Sequence, residues 1–94
     1  MTLLDRALGA FYGLALGDAL GMPTQSLSRA EIKTRFGEIR DLQDAGPDQP
    51  IAANMPKGSI TDDTEQAILV GQLLIDGAGR IEASMLAQRL IEWE

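Results

Sequence analysis

Apolar residues recur at helical spacing in four stretches of the chain, and turn-forming residues separate them. From Leu3 to Leu20 the residues Leu4, Leu8, Phe11 and Ala15 follow three- and four-residue steps, with Leu14 beside them. This pattern predicts a first helix. Ser28 followed by Glu31 reads as a capping box opening a short second helix that Gly37 ends. A third helix is expected from near Thr61, with Ala67, Ile68, Val70, Leu73 and Leu74 on its apolar face and Gly77 and Gly79 at its end. Asp62 and Glu65 give its start a second capping-box pattern. The fourth begins near Glu82 and buries Met85, Leu86, Leu90 and Ile91. The four segments read as helices joined by turns and one long loop.

Two features modify this picture. Gly9, Gly13, Gly17 and Gly21 recur at every fourth position of the first helix. An interior glycine costs about 1 kcal/mol relative to alanine, so the stripe needs a compensating role. It predicts a central, tightly packed helix whose bare face lets another backbone approach. The segment from Arg40 to Ser59 is rich in glycine and proline and is read as a long loop of the kind that often carries function. The helical pattern is still running at Trp93 and Glu94, with no stop signal. Residues 1–94 are therefore expected to be one truncated segment of a larger single domain.

Composition narrows the chemistry. The chain has 94 residues and a net charge of -6, which disfavours contact with nucleic acid. It contains no cysteine and no histidine, excluding disulfides, zinc sites of the usual type and Cys–His or Ser–His nucleophiles. Any metal site must use oxygen ligands, pointing to Mg2+, Mn2+ or Ca2+. The apolar run from Ala7 to Leu16 is too short to span a membrane, and Asp18 ends it. No targeting pattern opens the chain, and a cytoplasmic protein is expected.

Two acidic positions stand out. In Gly58-Ser59-Ile60-Thr61-Asp62-Asp63-Thr64-Glu65 a glycine-containing loop runs into a helix whose first turn carries adjacent carboxylates. Such residues suit a hard divalent cation, and they equally suit capping of a helix N-terminus. Asp18 lies on an otherwise apolar, glycine-striped helix. A carboxylate there is either paired, metal-bound or exposed at the helix end.

Together, Gly17-Asp18-Ala19-Leu20-Gly21-Met22-Pro23 and, across a loop, Ile60-Thr61-Asp62-Asp63-Thr64-Glu65 resemble the ADP-ribosylglycohydrolase family over nearly the whole chain. The resemblance implies an all-α, orthogonal helical-bundle domain, longer than this chain, of which these are the N-terminal helices. It implies a pair of Mg2+ ions, or Mn2+, in a cleft, with Thr61, Asp62 and Asp63 as one ligand cluster and Asp62 and Asp63 as catalytic carboxylates. A second cluster of Asp-x-Asp-Ser/Thr type lies beyond this chain's length in the family. Asp18 is implied as support from behind the site. Gln25 stands where some members carry a substrate-facing glutamate; glutamine can orient a ribose or a water but cannot act as a base. The implied partner is an ADP-ribosylated protein or a small ADP-ribose derivative, with neither nucleic acid nor membrane. A non-catalytic helical fragment or pseudo-enzyme that binds a partner or ADP-ribose is the alternative. A simple Ca2+-binding domain ranks behind both, because no EF-hand spacing is present.

Overall fold

The computed structural model describes all 94 residues as four α-helices and one 3-10 turn, with no strand. Helix α1 spans Leu3–Gly21 and runs directly into the 3-10 turn Met22–Thr24. Helix α2 spans Arg29–Phe36, α3 spans Asp62–Asp76 and α4 spans Ala83–Trp93.

Local chemistry explains the helix ends. The Thr2 hydroxyl accepts from the Asp5 N–H at 3.1 Å and the Asp5 carboxylate accepts from the Thr2 N–H at 3.0 Å, a complete capping box. The Thr2 N–H, and after it the Thr2 hydroxyl, hold the Asp5 carboxyl below its ordinary pKa. At α2, Ser28 Oγ accepts from the Glu31 N–H but donates its own proton to the Glu31 carboxylate, so only half of the expected box forms. Gly37 closes α2 at φ +67°, a left-handed conformation natural to glycine. Gly77 caps α3, and Glu82 precedes α4.

Helix α1 packs on α3, and α4 returns against α3. The close approach between α1 and α3 occurs at Gly71: a Cβ there would sit 2.7 Å from the tip of the Phe11 ring. The glycine stripe of α1 behaves differently from the expectation. A Cβ at Gly9, Gly13, Gly17 or Gly21 would meet nothing within 4 Å, so the stripe is an open face and not a packing seam. The reason is angular: α3 meets the side of α1 that carries Phe11 and Asp18, leaving the glycines beside it uncovered. Only Ala19 of α1 is buried.

The long loop has a packing task. Met22 and Pro23 are fully buried, and Ala45, Ala52 and Met55 close around Met22. The Ala45 N–H donates to the Met55 carbonyl at 2.9 Å, pinching the loop shut. Gln49 is buried inside it and fully bonded. This small cluster fixes the exit of α1 against the loop and so fixes the residues that follow Thr24.

The remaining core is thin. The accessible surface is 6898 Å², against about 5,300 Å² for a compact protein of this mass. The chain buries only about half of its unfolded surface, less than its length alone predicts.

Candidate functional site

The site is organised by a carboxylate from one helix reaching the open end of another. Asp18 lies in the last turn of α1, opposite the N-terminus of α3. Its Oδ2 accepts from the Thr61 N–H at 2.7 Å, the Thr64 N–H at 3.3 Å and the Thr64 hydroxyl at 2.6 Å. Its Oδ1 accepts from the Thr61 hydroxyl at 2.6 Å. The first turn of a helix leaves N–H groups without intrahelical partners, and the N-cap side chain usually satisfies them. Thr61 occupies the N-cap position with extended backbone, yet its side chain caps nothing. Asp18 performs that work from α1. The capping box expected between Asp62 and Glu65 does not form: the helix already begins at Asp62, so Thr61 and not Asp62 holds the N-cap position.

Partial burial of Asp18 pushes its pKa up, but the hydrogen bonds from Thr61 and Thr64 outweigh it and leave the carboxyl below its ordinary value. Asp18 is thus held ionised. The positive end of the α3 dipole acts in the same direction.

This clamp decides what Thr61 can do. A hydroxyl has one proton and two lone pairs. The Thr61 proton is committed to Asp18, so its oxygen offers lone pairs only. Thr61 lines a groove of about 450 Å³ together with Asp18, Gln25 and Asp63, above a floor formed by Gly13, Gly17 and Gly21 of α1. Leu14 is the single hydrophobic residue of its lining. The bare helix face is therefore the floor of a polar groove. Asp63 also reaches the neighbouring apolar groove between α1 and α3, at its Leu14 end.

The comparisons with known proteins agree with the arrangement of motifs. The profile of the ADP-ribosylglycohydrolase family matches residues 1–94. The chain belongs to this family. It is 35% identical over 89 residues to the ADP-ribosyl-dinitrogen reductase glycohydrolase of Rhodospirillum rubrum, covering 95% of this chain and 28% of that protein. It is 32% identical over 90 residues to an ADP-ribosylarginine hydrolase of Serratia proteamaculans, covering 96% of this chain and 22% of that protein. An uncharacterised Escherichia coli protein is 33% identical over 89 residues, covering 95% of this chain and 27% of that protein. The chain thus spans about a quarter of these relatives' length. No solved structure matches it.

Within this ADP-ribosylglycohydrolase segment the expected site residues fall in different places. Thr61, Asp63, Gln25 and Asp18 share the groove. Asp62 is exposed and does not line it. Adjacent helical residues point about 100° apart, so the two neighbouring carboxylates diverge. Neither forms an ion pair. The donors facing the groove are all oxygens, the chemistry a hard divalent cation takes. No three acidic side chains gather around one point.

Two residues that support the site were not singled out from the sequence. Thr64 is buried and gives both its N–H and its hydroxyl to Asp18. Its signal was the threonine spacing of Thr-Asp-Asp-Thr, which places it one turn from Thr61. Gln49 donates its Nε2–H to the Gln25 carbonyl at 2.6 Å across 24 residues of sequence, and no local pattern points to it.

Proposed function

We propose that this segment forms one wall of the active site of a hydrolase that removes ADP-ribose from a modified protein side chain or a small acceptor. The observation that carries the reading is the Asp18 clamp. It orders the α3 N-terminus so that Thr61 and Asp63 face the groove that Gln25 also borders. The groove lies within the size range of ligand-binding clefts. The family shown for the chain, and relatives named for ADP-ribosylated dinitrogen reductase and ADP-ribosylarginine, support an ADP-ribosylated protein as substrate.

The donor set fits an Mg2+ or Mn2+ ion in part: Thr61 and Asp63 would hold it from the groove wall, and Asp62, which lies outside the groove lining, would have to turn toward it to join them. Such ions grip sugar hydroxyls and polarise a water. The residues of this chain have separable tasks. Asp18 keeps the Thr61 hydroxyl turned so that its lone pairs are free. The Asp63 carboxylate stabilises positive charge developing at the ribose C1, since glycosidic cleavage passes through an oxocarbenium-like state. Gln25 orients the ribose or the attacking water through its amide and takes no proton. On this reading residues 1–94 make up one part of a single catalytic domain, and we propose the cytoplasm as its place.

The test uses the whole protein. Asp62→Ala and Asp63→Ala are expected to lower Mg2+-dependent release of ADP-ribose by about a hundredfold or more, in line with the loss of a principal electrostatic group. Unchanged turnover in both variants would remove them from the site.

The second reading, a non-catalytic module, draws on Gln25, which borders the groove and cannot act as a base. On either reading the 94-residue chain alone binds Mg2+ weakly, because most coordination positions are left to water. Titration calorimetry giving a micromolar dissociation constant would contradict this.

A further inference from the structure

Gln25 sits at the first central position of a tight turn from Thr24 to Leu27, closed by the Leu27 N–H donating to the Thr24 carbonyl at 3.2 Å. Its backbone has φ -55° and ψ 132°, and Ser26 follows at φ 59°. These are the dihedrals of a type II turn, which needs a positive φ at its second central residue and favours glycine there. Serine at that place favours the type I form, reached by rotating the peptide between Gln25 and Ser26. The chain nevertheless adopts the type II form.

The structure shows what opposes the rotation. The Gln25 carbonyl, the oxygen of that same peptide, accepts from Gln49 Nε2 at 2.6 Å. Gln49 is 4% exposed and cannot swing away, since its Oε1 accepts from the Ile51 and Ala52 N–H groups at 2.6 and 2.8 Å. Its Nε2 donor is thereby aimed at one carbonyl. In the type I form the Ser26 N–H would point at this amide donor, and the buried Gln49 donor would face another donor in place of its acceptor, which is costly.

We propose that Gln49 is a positioning residue for the substrate groove: it locks the Gln25–Ser26 peptide in its strained orientation and so fixes Gln25 at the groove's edge. The role rests on the reading that the groove takes ADP-ribose. Gln49 itself does not line the groove, and it acts on the ligand only through Gln25.

The experiment measures the dissociation constant of free ADP-ribose for the whole protein. Gln49→Glu keeps the acceptors for Ile51 and Ala52 and removes the donor to Gln25, so it spares the loop better than Gln49→Ala. Gln25→Ala and Gln49→Glu are each expected to weaken binding by about tenfold, and the double variant by no more than about twofold beyond Gln25→Ala, because residues acting as one unit are non-additive. Ser26→Gly makes the type II turn intrinsically favourable and is expected to restore most of the affinity that Gln49→Glu loses. A loss that Ser26→Gly leaves unrelieved, or losses that add in the double variant, would overturn the positioning role while leaving the groove assignment standing. An unchanged dissociation constant for Gln25→Ala would overturn the groove assignment and this role together.

Discussion

Among single residues, Asp18 carries the largest structural consequence. It supplies the α3 N-terminus with acceptors that no residue of α3 provides. Asp18→Ala leaves those N–H groups and two hydroxyls without partners, and is expected to destabilise the chain by about 1–2 kcal/mol at this partly exposed position. A thermal melt followed by circular dichroism measures it. The carboxyl also makes the stability depend on pH. Its folded-state pKa lies below its unfolded one, near 3.9. The contribution is therefore complete above the unfolded value and disappears as pH falls through the folded value. Asp18→Asn removes the titrating group, so its melting temperature should fall short of the native chain's at neutral pH, and the gap should close on acidification below about pH 4. A gap that stays constant to the lowest pH would show that the carboxylate charge is not what Thr61 and Thr64 recognise.

At the scale of helices, what periodicity can carry was legible and what depends on crossing geometry was not. The apolar steps of α1, α3 and α4 and the stops at Gly37 and Gly77 correspond to observed elements, because each depends on neighbours in sequence. The start of α3 was read as self-capped, whereas its cap comes from a residue more than forty positions earlier. Thr61 and Asp63 were legible through their motif; Gln49 was not, because a glutamine in an irregular loop has no pattern that reveals its partner. The glycine stripe was misread for a simple reason: a bare helix face looks the same in sequence whether a backbone or a ligand comes to it. The two roles predict opposite effects of substitution. If the stripe floors a groove, Gly13→Ala fills no occupied space and should raise stability by about 0.5–1 kcal/mol through helix propensity. Gly13→Leu should leave the fold intact and weaken ADP-ribose binding to the whole protein, as read by titration. Destabilisation by Gly13→Ala would return the stripe to a packing role.

The molecule as a whole exposes more apolar surface than a self-sufficient domain carries. Its radius of gyration is 16.2 Å, against about 12 Å for a compact chain of this length. Leu3, Leu4, Leu16, Ile68, Ile75 and Ile91 are each more than half exposed. The polar groove and the apolar groove beside it lie open along the α1–α3 pair, and Ala19 and Leu73, the buried apolar residues of that pair, lie outside the cluster around Met22. Cooperative unfolding requires that losing one contact region costs the others, and here the buried apolar residues of the helix pair and of the loop form separate groups. The 94-residue chain on its own should therefore melt over a broad range of temperature and bind an apolar dye before it is fully unfolded. The α1–α3 contact and the Met22 cluster should also lose amide protection at different denaturant concentrations, since local units open with separate free energies. A single sharp transition, coincident by circular dichroism and hydrogen exchange, would mean that the Asp18 clamp couples the two regions more strongly than their shared surface does. In that event Asp18→Ala should split the transition.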